Sequence, residues 1–329
     1  MASQVFCMLR QVFVTLTLLY LQGCAQQPQS APRMPDTKHK VSAPITPTKA
    51  APPMQVVILA SDDTPAYSGV AKSLANQLGQ RGSIHYLAGS QLENIKKIAK
   101  FNNDENTQIV SIGLNASIAA KTLKNRQVVF CQVYNYQDYA LLSPKHKGVS
   151  MLPSLPKTFS TWRALSPSIT DIGVISGPGF DDEMQTATAA AKLYGFTLHH
   201  ETVNSDKEYQ FAYKKISTKV QGYWLLPDNR VLSENVLRDI ITFSVRNSKQ
   251  LAVFSEELLK LGGLFSIRSD YQDIAQQVLD RLEQAQSREN IPGPDIVYLE
   301  KLNLRINSVM AHHLDLKIPE PYRKYANAP

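Results

Sequence analysis

Val56-Val57-Ile58-Leu59-Ala60-Ser61-Asp62-Asp63-Thr64-Pro65-Ala66-Tyr67 opens a strand–loop–helix unit. Five apolar residues, several of them β-branched, meet a polar break, and a helical pattern follows over 68–78. The rhythm recurs at 84–87 and 91–100, at 109–112 and 116–123, and at 128–133. It resumes at 172–176 and 182–194, at 197–202 and 206–220, at 222–226 and 231–247, and at 251–254. Strands separated by helices of this length build parallel βαβ units, with helices covering both faces of the sheet.

Two such blocks, each of about four strands, predict two Rossmann-like α/β lobes with parallel sheets rather than one large sheet. The loop over 135–147 interrupts the first block, and 148–153 reads as a strand leaving the first lobe. Residues 262–267 read as a later crossing, and a helix over 271–286 and a strand over 296–299 complete the fold. The expected division is 55–150 plus 268–293 for the first lobe and 151–267 plus 294–325 for the second. Ligands of such sheets lie beyond the carboxyl ends of the strands.

Upstream of residue 55 the character changes. Arg10 precedes an apolar run over 12–21, too short to span a bilayer but suited to the core of a signal peptide. The run closes on Leu21-Gln22-Gly23-Cys24, which resembles the bacterial lipobox, with Gln22 as its departure. The resemblance implies a signal peptide over 1–23 and lipidation of Cys24. Ala25 in the following position leans towards the outer membrane. Residues 24–54 are rich in Pro, Gln, Lys, Ser and Thr without an apolar period and read as a disordered, semi-extended leash.

The net charge of +7 is concentrated upstream, where Arg10, Arg33, Lys38, Lys40 and Lys49 face one acid, Asp36. The near-balanced remainder argues against a nucleic-acid protein. Of the three cysteines, Cys7 lies in the leader, Cys24 ends it, and Cys131 reads as a small buried hydrophobe.

Strand-end loops supply the candidate ligand residues. Ser61 or Thr64 can cap the helix that follows and present its free N–H groups to a carboxylate, with Tyr67 in the same loop. Asn115 repeats the arrangement after the third strand. Tyr134 and Asn135, with Tyr136, offer an aromatic wall after the fourth. Gly177 opens Gly177-Pro178-Gly179 ahead of a helix, without the lysine of a phosphate loop. Each position has a plain structural alternative, as a cap or a packing residue. Catalysis finds no machinery. His199-His200 on an alternating strand point to opposite faces, His312-His313 diverge on a helix, and no nucleophile elbow occurs. No metal and no cofactor is expected.

Gly148-Val149-Ser150, Leu165-Ser166-Pro167, Asp171-Ile172-Gly173-Val174-Ile175 and Gly177-Pro178-Gly179 follow one another in an order that carries a resemblance. Leu226-Pro227-Asp228-Asn229, Val253-Phe254-Ser255, Gly262-Gly263, Asp270-Tyr271 and Asn303-Leu304 extend it. Together they resemble the ABC-transporter substrate-binding family, of the kind that binds tryptophan or tyrosine. The resemblance implies a type I periplasmic-binding-protein fold with three crossings and a ligand between the lobes. It also implies that Asp228, beside Asn229, pairs with a ligand ammonium; its alternative is the N-cap of the helix from 231. Glu256 has the same standing. The family commonly carries Thr-Pro at Leu114-Asn115 and Ser-Asp at Ser255-Glu256, so amino-acid specificity does not transfer. Two functions follow. One is capture of a small organic ligand, amino-acid-like or aromatic, for an ABC permease. The other is an accessory or regulatory envelope lipoprotein that docks or senses for a partner. Both expect a periplasm-facing chain that meets the membrane only through its anchor.

Overall fold

The computed structural model describes residues 54–228, 230–286 and 289–327. The expected signal peptide, lipidation at Cys24, almost all of the leash, and Asn229 lie outside the described residues. The first half runs β1 (Gln55–Ala60), α1 (Pro65–Leu78), β2 (Gly82–Tyr86), α2 (Gln91–Ile98), β3 (Thr107–Ile112), α3 (Leu114–Ala120), β4 (Val128–Cys131) and β5 (His146–Pro153). There follow α4 (Leu155–Leu165), β6 (Asp171–Ser176), α5 (Asp181–Leu193), β7 (Thr197–Thr202), α6 (Asp206–Ile216), β8 (Gly222–Trp224), α7 (Glu234–Arg246), β9 (Gln250–Val253), α8 (Glu256–Leu261) and β10 (Phe265–Arg268). The end of the chain adds α9 (Tyr271–Ala285), β11 (Ile296–Leu299), β12 (Asn303–Asn307), α10 (Ser308–His313) and β13 (Ala326–Asn327).

Local chemistry sets the helix starts. Ser90 and Glu93 form a reciprocal capping box at α2, and the hydroxyls of Ser205, Ser233 and Ser255 accept the first free N–H groups of α6, α7 and α8. Pro65 pre-sets the first turn of α1, where its missing N–H costs nothing. All six residues of β3 are buried, as are five of six in β1, which is what a strand covered on both faces requires.

The first sheet has six strands in the order β11-β5-β4-β3-β1-β2, all parallel. The second has seven, β13-β12-β10-β9-β8-β6-β7, with β12 antiparallel to β10 and the other pairings parallel. Both carry buried clusters on two faces. In the first lobe, Val70 and Leu74 of α1 pack with Ile274 and Val278 of α9, and Ile98 and Leu123 pack beneath the other face. In the second, Phe159 and Trp162 of α4 pack with Met184 and Ala187 of α5, opposite Tyr209, Tyr213 and Ile240.

The chain passes between the sheets three times: from β5 into α4, from β10 into α9, and from β11 into β12. Two expectations shift here. Residues 262–267 are not a crossing; Phe265–Arg268 is a regular strand of the second sheet, and the passage follows it. The strand over 296–299, expected with the second lobe, pairs with β5 of the first. Val297 and Leu299 join the first lobe's core, and β11 covers an edge of β5 that would otherwise expose unpaired backbone.

Trp162 anchors the second lobe. It is fully buried, its indole N–H donates to Gln250 Oε1 at 2.7 Å, and its ring meets Phe265 edge-on at 5.4 Å. Gly222 makes room for it, since a Cβ there would stand 2.6 Å from Trp162 Cζ2. Trp162→Ala is therefore expected to lower stability by about 3–5 kcal/mol, the range for deleting a buried large aromatic, as read by urea unfolding.

Candidate functional site

The carboxyl ends of both sheets' strands turn towards the crossings, and a cavity of about 410 Å³ lies there. Its walls come from both lobes. Gln132 and Tyr134 follow β4, and Tyr271 and Ile274 lie on the first turn of α9. The second lobe contributes Trp224 to Pro227 after β8, and Val253 to Glu257 where β9 enters α8. Met151, Pro153, Arg268, Ser269 and Leu299 belong to the crossing segments themselves. The volume suits a small organic molecule, and the walls mix aromatic and aliphatic side chains with the polar groups of Gln132, Ser255, Glu256, Glu257, Arg268 and Ser269.

Three charged side chains, Glu256, Glu257 and Arg268, line this space. Arg268 donates to Glu256 Oε1 at 3.0 Å and to Asp270 Oδ1 at 2.9 Å, and Arg305 stands 3.7 Å from the same Glu256 oxygen. Glu257 is held below the usual carboxylate pKa, first by a backbone hydrogen bond and then by the Ser255 hydroxyl. Arg268 and Glu256 are each more than a third exposed, so water screens their pairing and leaves both able to exchange partners.

Of the sequence candidates, Tyr134 and Glu256 line the cavity. The Tyr134 hydroxyl is buried without a hydrogen-bond partner among the described residues. Burial holds its phenol well above the ordinary pKa, and the charge of Asp228 adds to the shift. Its ring meets Phe180 of the other lobe at 5.3 Å.

The remaining candidates do other work. Ser61 does not cap the helix after it; its Oγ accepts the Ala116 N–H at 3.0 Å, capping α3 instead. Thr64 sits at the N-cap of α1 without a side-chain cap, and its own N–H donates to Asp62 Oδ1 at 2.9 Å. Tyr67 is half-buried, its phenol raised by burial and then by Asp62. Asn115 is exposed, and Asn135 is buried with its amide 3.3 Å from Asp138 Oδ2.

Asp228 is 1% exposed and fully engaged by its own chain. Arg230 grips it bidentately, Nε to Oδ1 and Nη2 to Oδ2 at 2.8 Å each, and the Gly177 N–H donates to Oδ2 at 2.9 Å. Nor is it the cap of α7, a place that Ser233 takes. Arg230, in turn, donates to the Pro178 carbonyl at 3.0 Å, locking the loops after β6 and β8 together.

A second zone joins the lobes beside the cavity. The loop after β4 reaches the start of α5, where the Gln137 amide donates to Asp182 and Tyr136 hydrogen-bonds Glu183. Gly179 permits this approach. Its φ is +83°, and a Cβ there would lie 2.6 Å from Asp138 Oδ2.

Sequence reasoning missed Arg230, Arg268, Trp224 and Phe254. Trp224 continues an apolar strand and carries no local mark of a cavity wall. Gln132 escapes for another reason: its φ of +57° turns the chain after β4, which an ordinary non-glycine residue does not announce.

Groups that might have made other chemistry are engaged elsewhere. His199 Nε2 lies 2.7 Å from Asp171 Oδ1 and His200 Nε2 lies 2.9 Å from Ser176 Oγ, on opposite faces of β7. Burial pushes the Cys131 thiol up to about 12, so it is inert as a nucleophile. Among the described residues no group of three metal-ligating side chains occurs, and no helix is long and apolar enough to cross a membrane.

Comparison with known proteins fits this geometry. A family model described as ABC transporter substrate binding protein matches residues 56–328. An ABC domain in complex with L-Trp from Streptococcus pneumoniae superposes with a TM-score of 0.58 at 18% identity, covering 83% of this chain and 98% of that one. A conserved domain protein from Vibrio cholerae gives 0.59 at 19% identity, over 84% and 99%. The ligand-free, open structure of a substrate binding protein with adhesive properties from Clostridium difficile gives 0.60 at 14% identity, over 83% and 99%. At these identities the likeness is one of fold, that of type I periplasmic binding proteins. Comparison with curated proteins gives no match.

Two predictions follow from these side chains. Asp228→Asn leaves Arg230 and the Gly177 N–H with a weaker acceptor in a buried place, and is expected to cost about 1–3 kcal/mol in urea unfolding. His146 and His200 are both held below the ordinary imidazole pKa, first by burial. Their folded forms resist protonation, so the stability they support is complete above the unfolded pKa of about 6.5 and falls as pH drops through it. Unfolding titrations between neutral pH and about pH 5 should show that slope, and His200→Gln should flatten it.

Proposed function

Because the chain belongs to the ABC transporter substrate binding protein family, whose members are extracytoplasmic binding proteins and not enzymes, we propose that the cavity at the crossings is its ligand cleft. The ligand is a small organic molecule with an apolar or aromatic body and an amine, amino-acid-like in size. The observation that carries this reading is the cavity of about 410 Å³ whose aromatic walls, Trp224, Phe254, Tyr134 and Tyr271, meet Glu256, Glu257 and Arg268. An aromatic ring stacked on such walls gains ~0.5–1.5 kcal/mol per pair beyond its area burial. The carboxylates suit an ammonium, and Arg268 suits a carboxylate once it exchanges one of its present partners.

This assigns the ammonium to Glu256 rather than to Asp228, whose oxygens Arg230 already fills. Captured ligand would draw the lobes together about the three crossings, the closure that an ABC permease reads. The chain would be anchored through lipid on Cys24 and face the periplasm, with Ala25 favouring the outer membrane.

A second reading uses the same fold as a docking or sensing module for an envelope partner. The contacts that already bridge the lobes, Tyr134 with Phe180 and Gln137 with Asp182, favour it.

A thermal-shift screen of amino acids, nucleosides and peptides separates the two. A true ligand at a hundred times its dissociation constant adds ~2.7 kcal/mol of stability. Glu256→Gln should weaken an amine-bearing ligand by roughly 10-fold or more, the worth of a charged hydrogen bond. No shift with any compound would leave the docking module standing, and an unchanged affinity in Glu256→Gln would take that residue out of the site.

A further inference from the structure

All strands of the first sheet run the same way, so their starts share one pole, opposite the cavity at their carboxyl ends. The chain enters the described structure at that pole, where the Gln55 N–H donates to the Asn106 carbonyl at 2.8 Å. β1 lies two strands from β4, about 10 Å across the sheet at ordinary strand spacing.

A concavity of about 400 Å³ opens on the segments that lead into β4, β5 and β11. Lys121, Lys124 and Lys145 rim it, and Leu141 and Leu142 form its apolar wall. Lys121 donates to the Tyr139 carbonyl at 2.7 Å, and none of the three lysines forms an ion pair among the described residues. Arg126 adds a fourth cation on the same loop and donates to the Asp104 carbonyl. The acids nearby in sequence are Asp104, Glu105, Asp138, Glu289 and Asp295; the Asp104 carboxylate already accepts from Asn106 and Thr107, Asp138 accepts from the Asn135 amide, and Asp295 pairs with Lys147.

We propose that this pole of the first lobe docks on an anionic phospholipid surface, with headgroup phosphates taken between Lys121, Lys124 and Lys145. The orientation rests on the lipid-anchored reading above: a leash that starts at the bilayer and enters β1 on the same pole, two strands from β4 and three from β5, keeps the lysines that lead into those strands on the membrane side. The leash is itself basic, through Arg33, Lys38, Lys40 and Lys49. Lysine stems lie along the apolar wall while their ammonium groups meet phosphate. Docking this pole leaves the cavity and the second lobe facing away from the bilayer.

The test is lysine footprinting. The full chain is mixed with phosphatidylcholine vesicles, with or without about 30% phosphatidylglycerol, and exposed lysines are acylated and quantified by mass spectrometry. Lys121, Lys124 and Lys145 should react several-fold more slowly on the anionic vesicles, while Lys214 and Lys219 on the second lobe are unchanged. Equal rates on both vesicle types overturn the proposal. Each lysine near such a surface is worth roughly fivefold in partitioning, so Lys124→Glu with Lys145→Glu should lower binding to the anionic vesicles by about 25-fold or more. Failure of the anchor reading has its own signature, a chain that does not float with phosphatidylcholine vesicles. In that case, flotation with the anionic vesicles that the double variant abolishes still supports the docking pole, and no flotation with either overturns it.

Discussion

A parallel strand cannot be joined to its neighbour by a tight turn; the chain must first travel back along the sheet. That constraint organises this molecule. Each return becomes a helix, each helix covers a face, and all strand ends of one kind collect at one pole of each lobe. The apolar residues of β1 and β3 are buried because helices lie on both sides of them. The carboxyl ends meet at the crossings, and the cavity there is what remains between two stacks that each have a complete core of their own.

The charged groups near the crossings divide into two kinds. Asp228 is deeply buried and held by Arg230 and a backbone N–H, a fully compensated arrangement whose role is to fix two loops of the second lobe. Glu256 and Arg268 are half in water and share their bonds with Asp270 and Arg305, so little free energy is tied up in any one pairing. The first kind stiffens a lobe; the second can rearrange around a guest. Tyr134 stands between them, with a hydroxyl removed from water and no partner among the described residues.

Much of this architecture was legible in the chain because periodicity reports burial. The apolar runs at 56–60, 109–112 and 172–176 are strands, whereas α8 and its Ser255 cap went unread because six residues show too little period. Pairing between distant segments was less legible. Nothing local in Ile296-Val297-Tyr298-Leu299 says which lobe's edge it covers, and that depends on β5 standing open nearly 150 residues earlier. The candidate site suffered most for the same reason. Ser61 caps a helix 55 residues away, and Asp228 is taken by an arginine two positions on, a partner that spacing alone does not distinguish from a surface charge. Tyr134, a candidate from its place after a strand, and Glu256, a candidate from the family resemblance, are the two that line the cavity.

The three passages between the sheets also set an order of events. The first lobe lacks its edge strand until residue 299 has been made, and Val70 and Leu74 lack their partners on α9 until residue 278 has. The Gly148 N–H, for instance, waits for the carbonyl of Asp295. Neither half can therefore finish folding until residues far along the chain have been made, and such long sequence separations slow the search further. A chain that stays open until β11 and β12 have been made is suited to threading through a narrow export channel, and during that interval it depends on something other than its own core to keep its apolar strands apart.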